Sequence, residues 1–141
     1  MSYATVQELR ARIGASIFAE IYGEEGTTEA EADLASAEAE IDGAAALRYR
    51  MPVTGVRSLA LLKDWTLTLC EERTYARAAG SDYTEKIKAR TAQVRKYLEM
   101  IRLDQFRLPD AQENGPGTGR GGVALVQCDA PVFGRERMKG F

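Results

Sequence analysis

Ser58-Leu59-Ala60-Leu61-Leu62-Lys63-Asp64-Trp65-Thr66-Leu67-Thr68-Leu69-Cys70, continued to Ala79, is the most apolar stretch of the chain, and its reading decides the fold class. Leu59, Leu62, Trp65, Leu69 and Cys70 recur at steps of three and four, the period of an α-helix with one buried face. Gly80 is the expected stop. Trp65 stands inside that apolar face, so it reads as a core anchor rather than a binding residue.

The flanking segments read as helices too. Thr5-Val6-Gln7-Glu8 is a capping box, in which the Thr hydroxyl serves the Glu8 amide and the Glu8 carboxylate returns to Thr5. Val6, Leu9 and Ile13 follow on one face, with Gly14 as a C-terminal cap. A short segment from Ser16 to Tyr22 carries Ile17, Phe18 and Ile21, and Gly23 to Gly26 break it. Thr28 with Glu31 forms a second capping-box pattern before the stripe Leu34, Ala37, Ile41 and Ala45. That stripe is built of small residues, so a neighbouring helix can approach it closely. The early acids suit the positive end of the helix dipole and Arg48 and Arg50 the other end, with Met51-Pro52 as the terminus. Beyond Gly80, Asp82 with Glu85 opens a last helix. Its stripe is Tyr83, Ile87, Val94, Leu98 and Ile101, with Lys86, Lys88, Arg90, Arg95 and Lys96 elsewhere on it. Tyr83 and Tyr97 read as core, and Leu108-Pro109 closes the body. The predicted fold is mainly α: a bundle of four to five helices over residues 1–108.

Residues 109–141 follow other rules. They hold seven of the 13 glycines and three of the four prolines. A Gly-rich spacer, Gly115 to Gly122, leads to Val123-Ala124-Leu125-Val126, which reads as a short β-strand, and the chain ends on Val132 to Phe141. This is the pattern of an extended attachment arm. Gly117-Thr118-Gly119-Arg120-Gly121-Gly122 matches a dinucleotide-binding fingerprint letter for letter. It lacks the preceding strand and following helix that bring phosphate to a helix N-terminus, so it reads as linker.

Composition narrows the chemistry. The 141 residues suit one domain, and 45% apolar with 28% charged residues is a globular balance. No apolar run is long enough to span a membrane. The N-terminus has no signal-peptide pattern, so synthesis in a cytoplasm is expected. Cys70 and Cys128 lie outside any ligand-like spacing and read as reduced thiols. The chain has no histidine, which removes the commonest general base, zinc ligand and triad member. No enzyme activity, cofactor or metal is expected. The Glu24 to Glu31 cluster offers no register with the oxygen ligands and glycine of a calcium loop.

The net charge of -2 conceals two poles. From Glu24 to Asp42 the chain has eight acids and no base; from Gly43 onward 17 Lys and Arg face 11 acids. Such a chain can dock head to tail on copies of itself. A helical DNA-binding or regulatory module, with the basic last helix and the arm on phosphates, is the alternative.

The order of these segments carries a resemblance. Tyr3-Ala4-Thr5-Val6-Gln7-Glu8-Leu9 opens the chain, an acidic helix ends in Ile41-Asp42-Gly43, and Arg48-Tyr49-Arg50-Met51-Pro52-Val53 follows. Two helices then lead to Phe133-Gly134-Arg135-Glu136-Arg137-Met138-Lys139-Gly140-Phe141. Taken together, the chain resembles the Mu-like phage and prophage family of small head–tail connector (head-completion adaptor) proteins. The resemblance implies a virion protein of the neck, made in the host bacterial cytoplasm. It would form a ring with itself, commonly of twelve copies, beneath the portal protein. DNA would pass through without sequence-specific contact, and a tail-terminator or stopper protein would dock below. Family members often have an Asp/Gly loop where this chain has Gly23-Glu24-Glu25-Gly26-Thr27-Thr28, so no metal ligand carries over.

Within that role the arm supplies the expected partner contacts. Val123, Leu125 and Val126 would add a strand to a partner's sheet, while Phe133, Met138 and Phe141 fill pockets and Arg135, Arg137 and Lys139 pair with acids. Glu24, Glu25, Glu29, Glu31, Asp33 and Glu38 are the expected channel-facing or subunit-facing acids.

Overall fold

The computed structural model describes residues 2–79 and 84–115. They form α1 (Val6–Ile13), α2 (Ala15–Tyr22), α3 (Thr27–Ala45), α4 (Val56–Ala79) and α5 (Glu85–Arg102). Among the described residues there is no strand, only one isolated antiparallel bridge between Tyr49 and Glu113. The fold is mainly α, as the periodicities predict. The expected strand Val123–Val126 lies outside the described residues.

α4 is the axis of the bundle. Leu62, Trp65, Leu69 and Cys70 are buried on it and Leu59 is half-buried against the core. α3 packs antiparallel to α4, with Asp33 beside Arg77 and Glu40 beside Arg73. Ala30, Ala37, Ala44 and Ala45 are fully buried on α3, so the small residues do admit a close neighbour. α5 also runs antiparallel to α4, burying Ile87, Thr91, Val94, Leu98 and Ile101. α1 and α2 cover the remaining flank of α3 and α4. Trp65 is the core anchor expected of it: it stacks on Tyr97 at 5.7 Å and meets Phe106 at 6.0 Å.

The ends of the helices are where residue patterns misled. The Thr5/Glu8 capping box forms, and the Gly14 amide donates to the Arg10 carbonyl. The Thr28/Glu31 box does not. α3 starts earlier, with Gly26 as its cap, where the chain runs so close to the Tyr22 carbonyl that a Cβ at position 26 would collide with it. That places Thr28 inside the first turn. α3 also ends at Ala45, well before Met51-Pro52, so Arg48 and Arg50 lie beyond its last turn. The chain leaves the helix to pair with a later segment: the Arg50 amide donates to Gln112 and the Asn114 amide to Arg48. α5 opens at Glu85 with Thr84 as its cap, later than Asp82. Asp82, Tyr83 and Gly80 lie outside the described residues.

Residues 109–115, expected to belong to the arm, are tied to the body. The Asp110 carboxylate accepts from the Arg57 amide (2.8 Å), the Ser58 amide (2.8 Å) and the Ser58 hydroxyl (2.6 Å). It therefore caps α4 from a distant part of the chain. Gly55 leaves room for this, since a Cβ there would strike the Asp110 carboxylate. The Leu108 amide donates to the buried Tyr49 hydroxyl at 2.8 Å, and the Asn114 side-chain amide to the Ala46 carbonyl at 3.2 Å.

Candidate assembly interface

Three polar clusters fix the helices and, in doing so, decide which charges are left for a partner. In the first, Asp33 is buried and takes the Arg77 guanidinium at 2.6 and 2.8 Å, along with the Tyr22 hydroxyl at 2.7 Å. Burial alone would raise the Asp33 pKa, but Arg77 and Tyr22 together hold it below the usual carboxylate value. The Tyr22 phenol is pushed up, chiefly by burial. In the second, Glu71 sits between Arg12 (3.3 Å) and Arg90 (3.4 Å), and Arg12 reaches Asp64 at 2.9 Å. This joins α1, α4 and α5. In the third, Glu40 accepts from Arg73 and Arg95, both at 2.9 Å, and Arg95 reaches Glu72 at 3.0 Å. This joins α3, α4 and α5.

These clusters sort the six acids expected to face a channel or a subunit. Asp33 does not face outward, because its carboxylate is spent inside the bundle. Glu38 is half-buried, and its Oε1 accepts from the Ser2 hydroxyl (2.7 Å) and the Tyr3 amide (2.7 Å). Glu24, Glu25, Glu29 and Glu31 remain exposed around the start of α3. The basic helix is thinned in the same way. On α5, Arg90 and Arg95 are drawn into the clusters and Lys88 pairs with Glu85 at 3.3 Å. Lys86 and Lys96 are exposed.

At the other end of α3 lies a surface that residue patterns did not single out. Leu47, Val56 and Leu103 are exposed there, Val56 by 81%. Arg48 bridges the first and last of these segments, donating to the Arg102 carbonyl at 3.3 Å and pairing with Asp104 at 3.7 Å. Arg50 on the connection before α4 and Arg57 in the first turn of α4 stand exposed as well. The signal for this surface was weak, because isolated leucines and valines next to helix ends look like ordinary surface residues. About 21 Å, the rise of α3 from Glu31 to Ala45, is the least that separates this apolar and basic end from the exposed acids along the helix.

Residues 2–4 form a strap across the bundle. Tyr3 and Ala4 are buried, and the Tyr3 hydroxyl donates to Asp42 at 2.6 Å. A groove flanks each side of the strap: one of about 440 Å³ toward α1 and α3, the other of about 400 Å³ toward the first turns of α4. The expected arm contacts Val123, Leu125, Val126, Phe133, Arg135, Arg137, Met138, Lys139 and Phe141 lie outside the described residues.

The family model described as Bacteriophage Mu, Gp36 matches residues 3–126, which is most of the chain. The chain belongs to the Bacteriophage Mu Gp36 family. No curated protein matches it. The family match begins at the Tyr3 strap, takes in all five helices and the Val123–Val126 run, and stops before Phe133. It places the chain among phage proteins, and no described helix is long and apolar enough to cross a membrane.

Proposed function

We propose that this Gp36-family protein is a structural head–tail connector of a tailed phage or prophage. Copies form a ring beneath the portal, DNA passes through it, and the tail side docks on it. The observation that carries this reading is the segregation of the exposed surface within a phage-family body. Apolar Leu47, Val56 and Leu103 with Arg50 and Arg57 mark one end, where the exposed acids Asp104 and Glu113 are paired with arginines. Glu24, Glu25, Glu29 and Glu31, without an ion pair among the described residues, mark the other. Unlike surfaces on one rigid subunit favour a head-to-tail contact, which closes into a ring when the rotation between neighbours is right. The interlocked ion pairs of α1, α3, α4 and α5 support a body that holds its shape while it docks. On this reading the protein resides in the virion neck and acts without catalysis, cofactor or metal. The arm grips the portal or a neighbouring copy.

The test is a phage or prophage lacking this chain. Filled heads and tails that accumulate separately, and that join when the purified protein is added, are the expected result. Normal particles in its absence would overturn the proposal. Native mass measurement of neck complexes then gives the copy number. A DNA-binding module is the competing reading, and the internal pairing of Arg90 and Arg95 speaks against it. Tight, salt-sensitive binding of duplex DNA by the isolated protein would favour it instead.

A further inference from the structure

The groove between the strap, α1 and α3 has a composition that selects its occupant. Its floor is apolar, made by Ala4, Val6, Leu34 and Ala35, and its charged lining residues, Glu31 and Glu38, are both acids. It is an open groove of about 440 Å³, room enough for several side chains of an extended segment. The groove on the other side of the strap has Lys63 as its charged lining residue, which Glu8 already pairs, so that groove offers an incoming base no acid.

One segment of this chain matches the acidic groove. Phe133, Met138 and Phe141 are interspersed with Arg135, Arg137 and Lys139, against one acid, Glu136, over the last nine residues, 133–141. We propose that residues 133–141 of one copy seat in the groove between α1 and α3 of a neighbouring copy, aromatic and Met side chains on the floor, bases toward Glu31 and Glu38. This rests on the ring reading given above and names the surface through which the arm would hold the ring together.

The reach is sufficient. The described chain ends beside the C-terminal end of α3, where Asn114 bonds Ala46. From residue 115 to Phe133, 18 residues extend at most about 60 Å. The long axis of the body, set by the 24 residues of α4, is only about 36 Å. An arm of that length crosses to an adjacent body. Glu38 already accepts from the Ser2 hydroxyl and from the Tyr3 and Ala4 amides, so Glu31, exposed and without a described ion pair, is the acid with capacity to spare.

Two full-length chains carrying single cysteines test the proposal. One has Ala35→Cys at the groove and the other Met138→Cys in the arm, both with Cys128→Ser. Cys70 stays silent, being fully buried with its thiol pushed up to about 12, chiefly by burial. Mild oxidation of the mixture should give a disulfide-linked dimer that joins the two variants. Adding Glu31→Lys to the groove chain should lower the yield about tenfold, and Val56→Cys in the groove across the strap, which has no acid in its lining, should replace Ala35→Cys poorly. Absence of the mixed dimer overturns the proposal. So does equal linkage at Val56, or a chain carrying both Ala35→Cys and Met138→Cys that closes only on itself as a monomer. A wild-type chain incorporated into necks while the link fails sinks the groove alone. A chain absent from phage particles sinks the connector reading whatever the link does.

Discussion

Asp33 has every strong hydrogen bond it can use inside the bundle, and that makes its behaviour with pH predictable. Its pKa is lowered in the folded state, whereas an unfolded aspartate titrates near 3.9. The stabilisation is complete above the unfolded value and is lost as pH falls through the lower folded value. Asp33→Asn should therefore flatten the acid limb of the stability profile below about pH 4, read from urea midpoints between roughly pH 6 and 2. At neutral pH the loss should sit near the lower end of about 1–3 kcal/mol, because Arg77 is 44% exposed and water screens what remains. A profile identical to that of the wild type would disprove the role. Trp65→Ala acts by a different mechanism. It removes a ring buried between Tyr97 and Phe106 and leaves a cavity, at a cost of about 3–5 kcal/mol in chemical unfolding. Residue identity told Trp65's place correctly, since its apolar neighbours left it one face to occupy. It could not tell Asp33 from Glu31: both are acids on one helix, and only the approach of α4 makes one of them internal.

Helix termini divide in the same way between near and distant causes. The α1 cap is local, made by Thr5 and Glu8, so Thr5→Ala should cost about 1 kcal/mol with unchanged helix content at low temperature. The α4 cap is not local. Asp110 reaches Ser58 across 52 positions, and no window around Ser58 contains that information. Asp110→Ala should lower the melting temperature and loosen amide protection at Arg57 and Ser58 in hydrogen exchange. Unchanged protection there would show that water caps the helix equally well. Gly55→Ala should give a similar loss without touching any hydrogen-bonding group, because its Cβ competes with the Asp110 carboxylate for space. The early end of α3 has the same origin. Pro52 sets an outer limit, but pairing of residues 48–50 with 112–114 ends the helix sooner.

For the whole molecule, two truncations separate folding from assembly. A chain ending at residue 115 keeps the α4 cap and the Tyr49–Glu113 bridge, and should melt cooperatively near the wild-type temperature. On the connector reading it should fail to join heads to tails. A chain ending at residue 108 loses both features and should melt several degrees lower, by roughly 4–8 °C for each kcal/mol in a domain of about this size. Equal melting of the two would mean that residues 109–115 add nothing to the body. By itself, the sequence determined the helical class, a count of four to five helices and most of the buried stripe, since those follow from a period that each segment carries within itself. It also determined that a Gly-rich segment follows the body and that the exposed charge has two signs. Only the tertiary structure decided which acids and bases remain outside, where α3 ends, and that residues 109–115 belong with the helices. The decisive contacts, Asp33 with Arg77, Asp110 with Ser58 and Arg95 with Glu40, join groups far apart in the chain, and a side chain's charge is available to a partner only if no such group has already neutralised it.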